Sequence, residues 1–397
     1  METPPDTVPS PDPGDLDGGA FTAWLRYFAW LGTFGFGGPI ALAGRMQKDL
    51  VEDRRWISRQ DYAEGLALSQ LSPGPLAAQL AMYLGWVRAG RLGATAVGAA
   101  FILPSFLMVV GLSWLYVRFG GLDWIQAVFY GVGAAIIAVI ARAAWKLGKS
   151  TVGKDPLLIS ILAASALVTA ITEREIVWVF LAAGLLALGV QLARSRNTTS
   201  AALVLLPLLG PLAQGLHGQR EDQLGTLAWY FAEAGAFVFG SGLAIVPFLH
   251  QGVVVDHAWL NERQFLDAVA VAMLTPGPVV ITVAFIGFLV AGFAGAVVAA
   301  LGVFLPPYTV VLLLAPSVRR WSKDARVKAF VSGVTAAAAG AIAGAAFVLG
   351  RRAIIDLPTA AVCAATLLLL VKAKKIPEPM LIGAAGLVGF IVRGGFR

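Results

Sequence analysis

The pentapeptide Leu-Ser-Pro-Gly-Pro at 71–75 returns as Leu-Thr-Pro-Gly-Pro at 274–278, a displacement of 203 residues. The same displacement sets Tyr27 on Tyr230, Phe28 on Phe231, Phe34 on Phe237, Phe36 on Phe239 and Gly37 on Gly240. It also sets Asp53 on Asp256, Trp56 on Trp259, Phe101 on Phe304 and Pro104 on Pro307, and it places Glu64 opposite Asp267. Further on, the displacement slips to 202, where Leu147 and Gly148 meet Leu349 and Gly350. Tryptophan and proline do not fall into one gapless register by chance. The fold must therefore be built twice, from halves at roughly 21–195 and 224–397 joined by a linker, 196–223, that holds a short apolar segment.

Runs such as ILAASALVTA (161–170) and AAGLLALGV (182–190) lie between the motifs and are apolar at every step. A strand of a membrane barrel alternates every second residue, so these runs read as helices. Segments of this kind fall at 21–44, 61–87, 92–117, 122–145, 156–172, 174–193, 201–216, 226–249, 265–291, 294–315, 327–350, 353–371 and 378–395. Hydrophobic residues make up 58 % of the chain and charged ones 13 %, whereas a soluble domain carries roughly a quarter charged residues. Such a chain is an all-α, polytopic membrane protein embedded in the lipid bilayer. That excludes a cytosolic enzyme, a nucleic-acid-binding domain and a disordered scaffold. The net charge of +7 fits basic cytoplasmic loops, with no nucleic-acid partner. Residues 1–20 are Pro-rich, acidic and free of Lys and Arg, which reads as a disordered tail and not a signal peptide.

Loop charge gives the orientation of the halves. The loop 45–60 holds Arg45, Lys48, Arg54, Arg55 and Arg59, while its repeat partner 250–263 holds Arg263 alone. The loop 117–123 holds Arg118 alone, while 316–328 holds Arg319, Arg320, Lys323, Arg326 and Lys328. Positive charge marks the cytoplasmic side, so the halves are expected to be inverted relative to each other. The basic stretch 142–154 joins 45–60 and 88–91 on that side only if the Pro-Gly-Pro segment is re-entrant, and 201–216 is then expected not to cross fully.

Glycine and proline inside apolar segments predict helices broken near the membrane midplane. A broken helix offers free N–H groups at the positive end of its dipole, a setting for a small oxyanion. The candidate site is Gly37, Gly38 and Pro39 with Ser72, Pro73, Gly74 and Pro75. Its second-half counterparts are Gly240, Ser241 and Gly242 with Thr275, Pro276, Gly277 and Pro278. Ser72 and Thr275 have hydroxyls to cap the new helix ends or to reach a ligand. Arg45 adds a guanidinium fork, and Gln70 and Gln79 flank the first Pro-Gly-Pro with amides. Glu64, Asp267 and Glu233 are carboxylates within apolar segments and candidates for carrying a coupling proton. The simpler readings are helix kinks for the breaks, headgroup contacts for arginine, and water contact for Glu64 and Asp267. Trp24, Trp30, Trp86, Trp114 and Trp259 are expected in interfacial belts.

No cofactor, metal or enzyme chemistry is expected. The one cysteine, Cys363, sits in an apolar run, and His217, His250 and His257 lack zinc-ligand spacing. There is no Gly-X-Ser-X-Gly, and no histidine stands beside a serine inside a predicted span. Related halves with broken helices point to an alternating-access transporter.

The ordered motifs FGFGGP (34–39), LSQLSPGPLAAQLAMYLGW (68–86), FILPSF (101–106), FGSG (239–242), LTPGP (274–278) and FLPP (304–307) resemble the chromate ion transporter family, in its long two-domain form. Gly242 departs from the first-half pattern, which has Pro39 there. The resemblance implies a multi-pass protein of the inner (plasma) membrane. Its expected activity is secondary active export of chromate, driven by the membrane potential or a proton gradient and giving chromate resistance. The residues alone carry the reading only as far as a small oxyanion. Transport of sulfate or another oxyanion is the alternative, and an anion channel a further one. A homodimer is compatible with the sequence, although two fused halves have less need of one.

Overall fold

A computed structural model describes residues 18–36, 38–119, 122–173, 177–194, 223–237, 242, 245–318, 324–373 and 376–393. Among the described residues every regular element is a helix. The first half holds α1 (Gly18–Phe34), α2 (Pro39–Met46, continued by a π-helical turn, Gln47–Asp53), α3 (Arg59–Leu71), α4 (Leu76–Phe119), α5 (Asp123–Val152), α6 (Pro156–Thr172) and α7 (Val177–Arg194). The second half repeats them in order: α8 (Gln223–Phe237), α9 (Ile245–His250, with a π-helical turn, Gln251–Asp256), α10 (Glu262–Leu274), α11 (Thr282–Leu314, led by a 3-10 turn, Val279–Ile281), α12 (Ala325–Ala353), α13 (Leu357–Lys372) and α14 (Glu378–Arg393). Even the π turns recur. Local chemistry starts these helices: the side chains of Ser58, Asp155, Asn261, Asp324 and Asp356 each accept a first-turn backbone N–H.

α4 has 44 residues, about twice what a bilayer needs. It is two arms joined at Ala89 and Gly90, where Gly90 takes a φ of +57° that glycine alone adopts without strain. α11 bends in the same way at Ala291 and Gly292 (φ +61°). The first arm of α4 folds back along α3: Tyr83 donates to Glu64, and Gln79 Nε2 donates to Ser72 Oγ. Pairing 64 with 83 and 72 with 79 makes the strands of this hairpin antiparallel, with Pro73–Pro75 at the tip. α3 has 13 residues, a rise of about 20 Å against a hydrocarbon core of about 30 Å. The hairpin therefore enters and leaves on one face, as the loop charges require.

The segment 21–44 does the same, which loop charge did not reveal. α1 breaks at Gly35–Gly38 and α2 returns beside it. Tyr27 donates to Asp49, and the Arg45 guanidinium lies 4.5 Å over the Trp30 ring. In the second half Tyr230 donates to the Phe248 carbonyl across α8 and α9. Trp24 also departs from the belt expected for it, being 2 % exposed and stacked on Trp56 inside the first hairpin.

The repeats are inverted. Thr95 Oγ1 lies 2.7 Å from the Tyr308 hydroxyl, and the Phe106 ring packs on Phe293. Rising along α4 is falling along α11, and these are the same element of the repeat. A pseudo-twofold axis in the membrane plane therefore passes between them. The halves also interlock, because α5 packs on α13 and α14 while α12 packs on α6 and α7. A Cβ on Gly131 would lie 2.0 Å from the Ala385 carbonyl oxygen, and one on Gly333 would lie 2.4 Å from that of Ala183. Small residues at such crossings let backbones meet in a membrane.

This symmetry corrects the register. The slip from 203 to 202 falls just after the second Pro-Gly-Pro, because Gly85, Gly90 and Gly93 correspond to Gly287, Gly292 and Gly295. Phe101 and Pro104 thus pair with Val303 and Pro306, and not with Phe304 and Pro307. Gly32 abuts the Phe101 carbonyl as Gly235 abuts that of Val303. The 3-10 turn at Val279–Ile281 rises more per residue than an α-helix and spans the same distance with one residue fewer.

One face gathers Arg54, Arg55, Arg59, Arg91, Lys149, Lys154, Arg194, Arg326, Lys328 and Lys372, and the other holds Arg118, Arg263, Arg351, Arg352 and Arg393. The first is the cytoplasmic face. Arg194 and Gln223 then lie on opposite faces, and the expectation that 201–216 does not cross falls outside the described residues. In a Cys363→Ser background, Ala89→Cys is expected to react with an impermeant maleimide only in everted vesicles and Ala291→Cys only in right-side-out ones. The opposite pattern would refute this topology.

Candidate functional site

Each hairpin tip is shaped by its own residues. α1 closes with Gly35 N–H on the Leu31 carbonyl. α2 opens on Pro39, whose missing N–H costs nothing at a first helical position. At the second tip Ser72 is extended (φ −103°, ψ 151°), and its hydroxyl donates to the Leu68 carbonyl at 2.7 Å. Thr275 likewise donates to the Ala272 carbonyl. Both hydroxyls thus finish the preceding helix and do not cap the following one. A proline stands just before the next helix in each case, at Pro75 and Pro278, and leaves the hydroxyl nearest to carbonyls behind it.

The tips then meet across the axis. Gly277 N–H donates to the Gly35 carbonyl at 3.0 Å, tying the fourth tip to the first. Gly74 has a φ of +135°, and a Cβ there would lie 2.4 Å from Pro307 on α11. Gly277 has a φ of +102°, and a Cβ there would lie 1.9 Å from Ser105 Oγ on α4. Ser105 and Pro307 are themselves repeat equivalents, so each Pro-Gly-Pro tip rests on the long crossing helix of the other half.

Between the tips is a small, partly open cavity. Pro39 and Gly242 line it with Pro75, Gly277 and Pro278, and Leu42, Ala77, Val279 and Val280 complete its wall. Every one of the four breaks contributes, and both repeat pairs, Pro39 with Gly242 and Pro75 with Pro278, face each other there. The space admits about one water-sized sphere. No charged side chain lines it. Its lining is almost wholly apolar, with Pro39 at the start of α2, Pro75 just before α4 and Val279 and Val280 just before α11 placing three helix N-termini beside it.

The other expected residues separate into near and far. Gly38, Pro73, Gly74, Thr275 and Pro276 belong to the tips, while Gly37, Gly240 and Ser241 lie outside the described residues. Gln79 is fully buried beside the second tip; its Nε2 donates to Ser72 and to the Pro73 carbonyl, and its Oε1 has no partner. Gln70 is exposed at the end of α3. Arg45 is held away from the cavity by Trp30 and by Asp49 at 3.7 Å. Glu64 is half-buried and accepts from Gln60 and Tyr83, and Glu233 is half-buried on α8. Asp267 is buried and accepts from the Tyr116 hydroxyl at 2.7 Å. Sequence reasoning missed Ser105, Pro307 and Tyr116 as partners of the tips and carboxylates. Ser105 and Pro307 sit inside quoted motifs and needed only the 202 register.

These features define an integral membrane protein of two inverted, interlocked repeats with four broken helices meeting at its centre. The chain belongs to the chromate transporter family, whose model matches residues 22–188 and again 225–390. It is 53 % identical over 392 residues to the chromate transport protein of Cupriavidus metallidurans, covering 98 % of this chain and 97 % of that one. It is 53 % identical over 370 residues to the probable chromate transport protein of Synechococcus elongatus, covering 92 % and 94 %. The chromate transport protein of Pseudomonas aeruginosa is 31 % identical over 390 residues, covering 94 % and 91 %. No solved structure matches the chain.

Gly277→Ala combines a positive φ with a clash on Ser105, whereas Gly292→Ala has the positive φ alone, with open space around it. Gly292→Ala is expected to cost about 1–2 kcal/mol and Gly277→Ala clearly more, read as the thermal midpoint of the detergent-solubilised protein. Equal losses would show that the tip contact carries no weight.

Proposed function

We propose that this protein is a secondary active transporter that exports chromate from the cytoplasm across the inner (plasma) membrane and so confers chromate resistance. The observation that carries the reading is the convergence of four Gly/Pro breaks on one small cavity at the pseudo-twofold axis. The names of the relatives supply chromate. Chromate is a tetrahedral dianion, and helix N-terminal N–H groups suit such an ion without a buried cation.

The site consists of Gly37, Gly38 and Pro39, Ser72–Pro75 and Gln79, Gly240–Gly242, and Thr275–Pro278. The cavity as it stands is too small for a tetrahedral oxyanion, so binding requires the tips to part. Inverted repeats give a direct way to do this, because rocking one pair of hairpins opens the cavity to one face while its equivalent closes the other. Arg45 and Gln70 would join the anion only after such a movement. The interlocked halves complete the cavity within one chain, so transport needs no second copy. Sulfate, with the same shape and charge, is the competing substrate, since backbone donors read geometry and not the central atom.

Everted vesicles containing the protein are expected to accumulate labelled chromate when energised, to lose it with a protonophore, and to accumulate less with excess sulfate. Ser72→Ala with Pro73→Ala is expected to reduce the initial rate at least tenfold in correctly inserted protein. An unchanged rate would remove the assignment of the tip, and no accumulation by the unaltered protein would remove the assignment of chromate.

A further inference from the structure

Asp267 and Glu64 occupy the same place in the two repeats, yet they are held differently. Glu64 accepts from Tyr83, on the returning arm of its own hairpin, and from Gln60, one turn back on α3. Asp267 is 4 % exposed and accepts from Tyr116 on α4, a helix of the other half. The position of Tyr83 is taken in the second half by Phe285, whose ring packs edge-on against Tyr116 at 5.1 Å. The position of Tyr116 is taken on the other side by Val318. The bond from Tyr83 to Glu64 therefore lies within one hairpin. The Asp267 pair bridges two bodies and must part when the fourth hairpin moves against α4.

The titratable groups that face Asp267 among the described residues are Tyr116 from α4 and Arg263, one turn earlier on α10. Arg263 is turned outward and donates to Gln126 on α5. α11 brings Phe285, and α5 brings Phe129 against Tyr116. Burying an ionised carboxylate in such a place without a cation in contact is costly. The arrangement in which Asp267 is buried against Tyr116 is thus compatible with a protonated Asp267 and penalised by an ionised one.

We propose that Asp267 takes up a proton from the outer face as that side closes, and that Tyr116 positions its carboxyl in the closed arrangement. This rests on the transport reading above and names the group through which outer protons act on it. In the step, hydronium in outer water passes its proton to a carboxylate oxygen of Asp267. One O–H bond forms as another breaks, and water is left behind. The neutral carboxyl then fits the pocket between α10, α4 and α11, and outer closure follows. An exporter that must close outward after releasing its anion is accelerated by outer protons in this way, and the proton returns to outer water when that face reopens.

The test uses everted vesicles, whose lumen is the outer side, with two readouts for each variant. One is chromate counterflow at equal pH, and the other is the acceleration of net chromate uptake by an acidic lumen. Asp267→Asn mimics the neutral acid, so counterflow is expected within threefold of the unaltered protein while the acceleration disappears. Tyr116→Phe keeps the ring and removes the donor that favours the ionised carboxylate, so it is expected to move the half-maximal lumenal pH upward. Glu64→Gln is expected to keep the acceleration. Asp267→Asn that still responds to lumenal acid overturns the proposal, as does loss of its counterflow in correctly inserted protein. Unaltered protein that shows counterflow without a pH response also overturns it. Absence of counterflow in the unaltered protein would overturn the transport reading instead.

Discussion

Lipid hydrocarbon neither donates nor accepts hydrogen bonds, so a helix that breaks within it leaves backbone groups that only protein can satisfy. Each such group left bare costs several kcal/mol. This chain breaks four helices in mid-membrane, at Gly35–Gly38, Ser72–Pro75, around Gly242 and at Thr275–Pro278. None of these breaks is stable at the lipid face, and all must be enclosed. Enclosing them against each other is the economical solution, and the bond from Gly277 N–H to the Gly35 carbonyl is its direct expression. The central cavity follows from the same requirement that makes the hairpins re-entrant.

Close approach of backbones makes that enclosure work. Lipid supplies no hydrophobic drive between helices, so contacts rest on packing and on small residues. Glycine lies at the equivalent crossings at Gly85 and Gly93, Gly287 and Gly295, and Gly131 and Gly333, where a methyl group would fall within 3 Å of a carbonyl oxygen. Contacts this close do not deform gradually. They favour discrete rearrangements of whole hairpins over local flexing, which is what an alternating cavity needs.

Much of this was legible in the sequence, because the repeat is strong and lipid punishes ambiguity. Continuous apolar runs exclude strands, matched Pro-Gly-Pro motifs locate the central breaks, and exchanged loop charge gives the inversion. What was hidden depended on three-dimensional neighbours. The Gly and Pro of FGFGGP predict a break in the first segment but not the direction the chain takes after it, and only the pairings of Tyr27 with Asp49 and Trp30 with Arg45 show it doubling back. Ser72 and Thr275 were expected to cap forward or to reach a ligand, but each donates to a carbonyl of the helix before it. Tyr116 was unreadable because its importance lies in a carboxylate 151 residues away. Arg45 looked close to the tip along the chain, yet the hairpin turns its guanidinium toward Trp30.

The exchange of α5 and α12 between halves has a consequence for ancestry. α5 finds its close-packing partners in α13 and α14, and α12 finds its own in α6 and α7. A single repeat alone in a bilayer would leave the glycine-bearing face of α5 against lipid and its two tips without opposing carbonyls or donors. A progenitor with one repeat would have needed a sister copy inserted upside down, and therefore little charge bias holding it to one orientation.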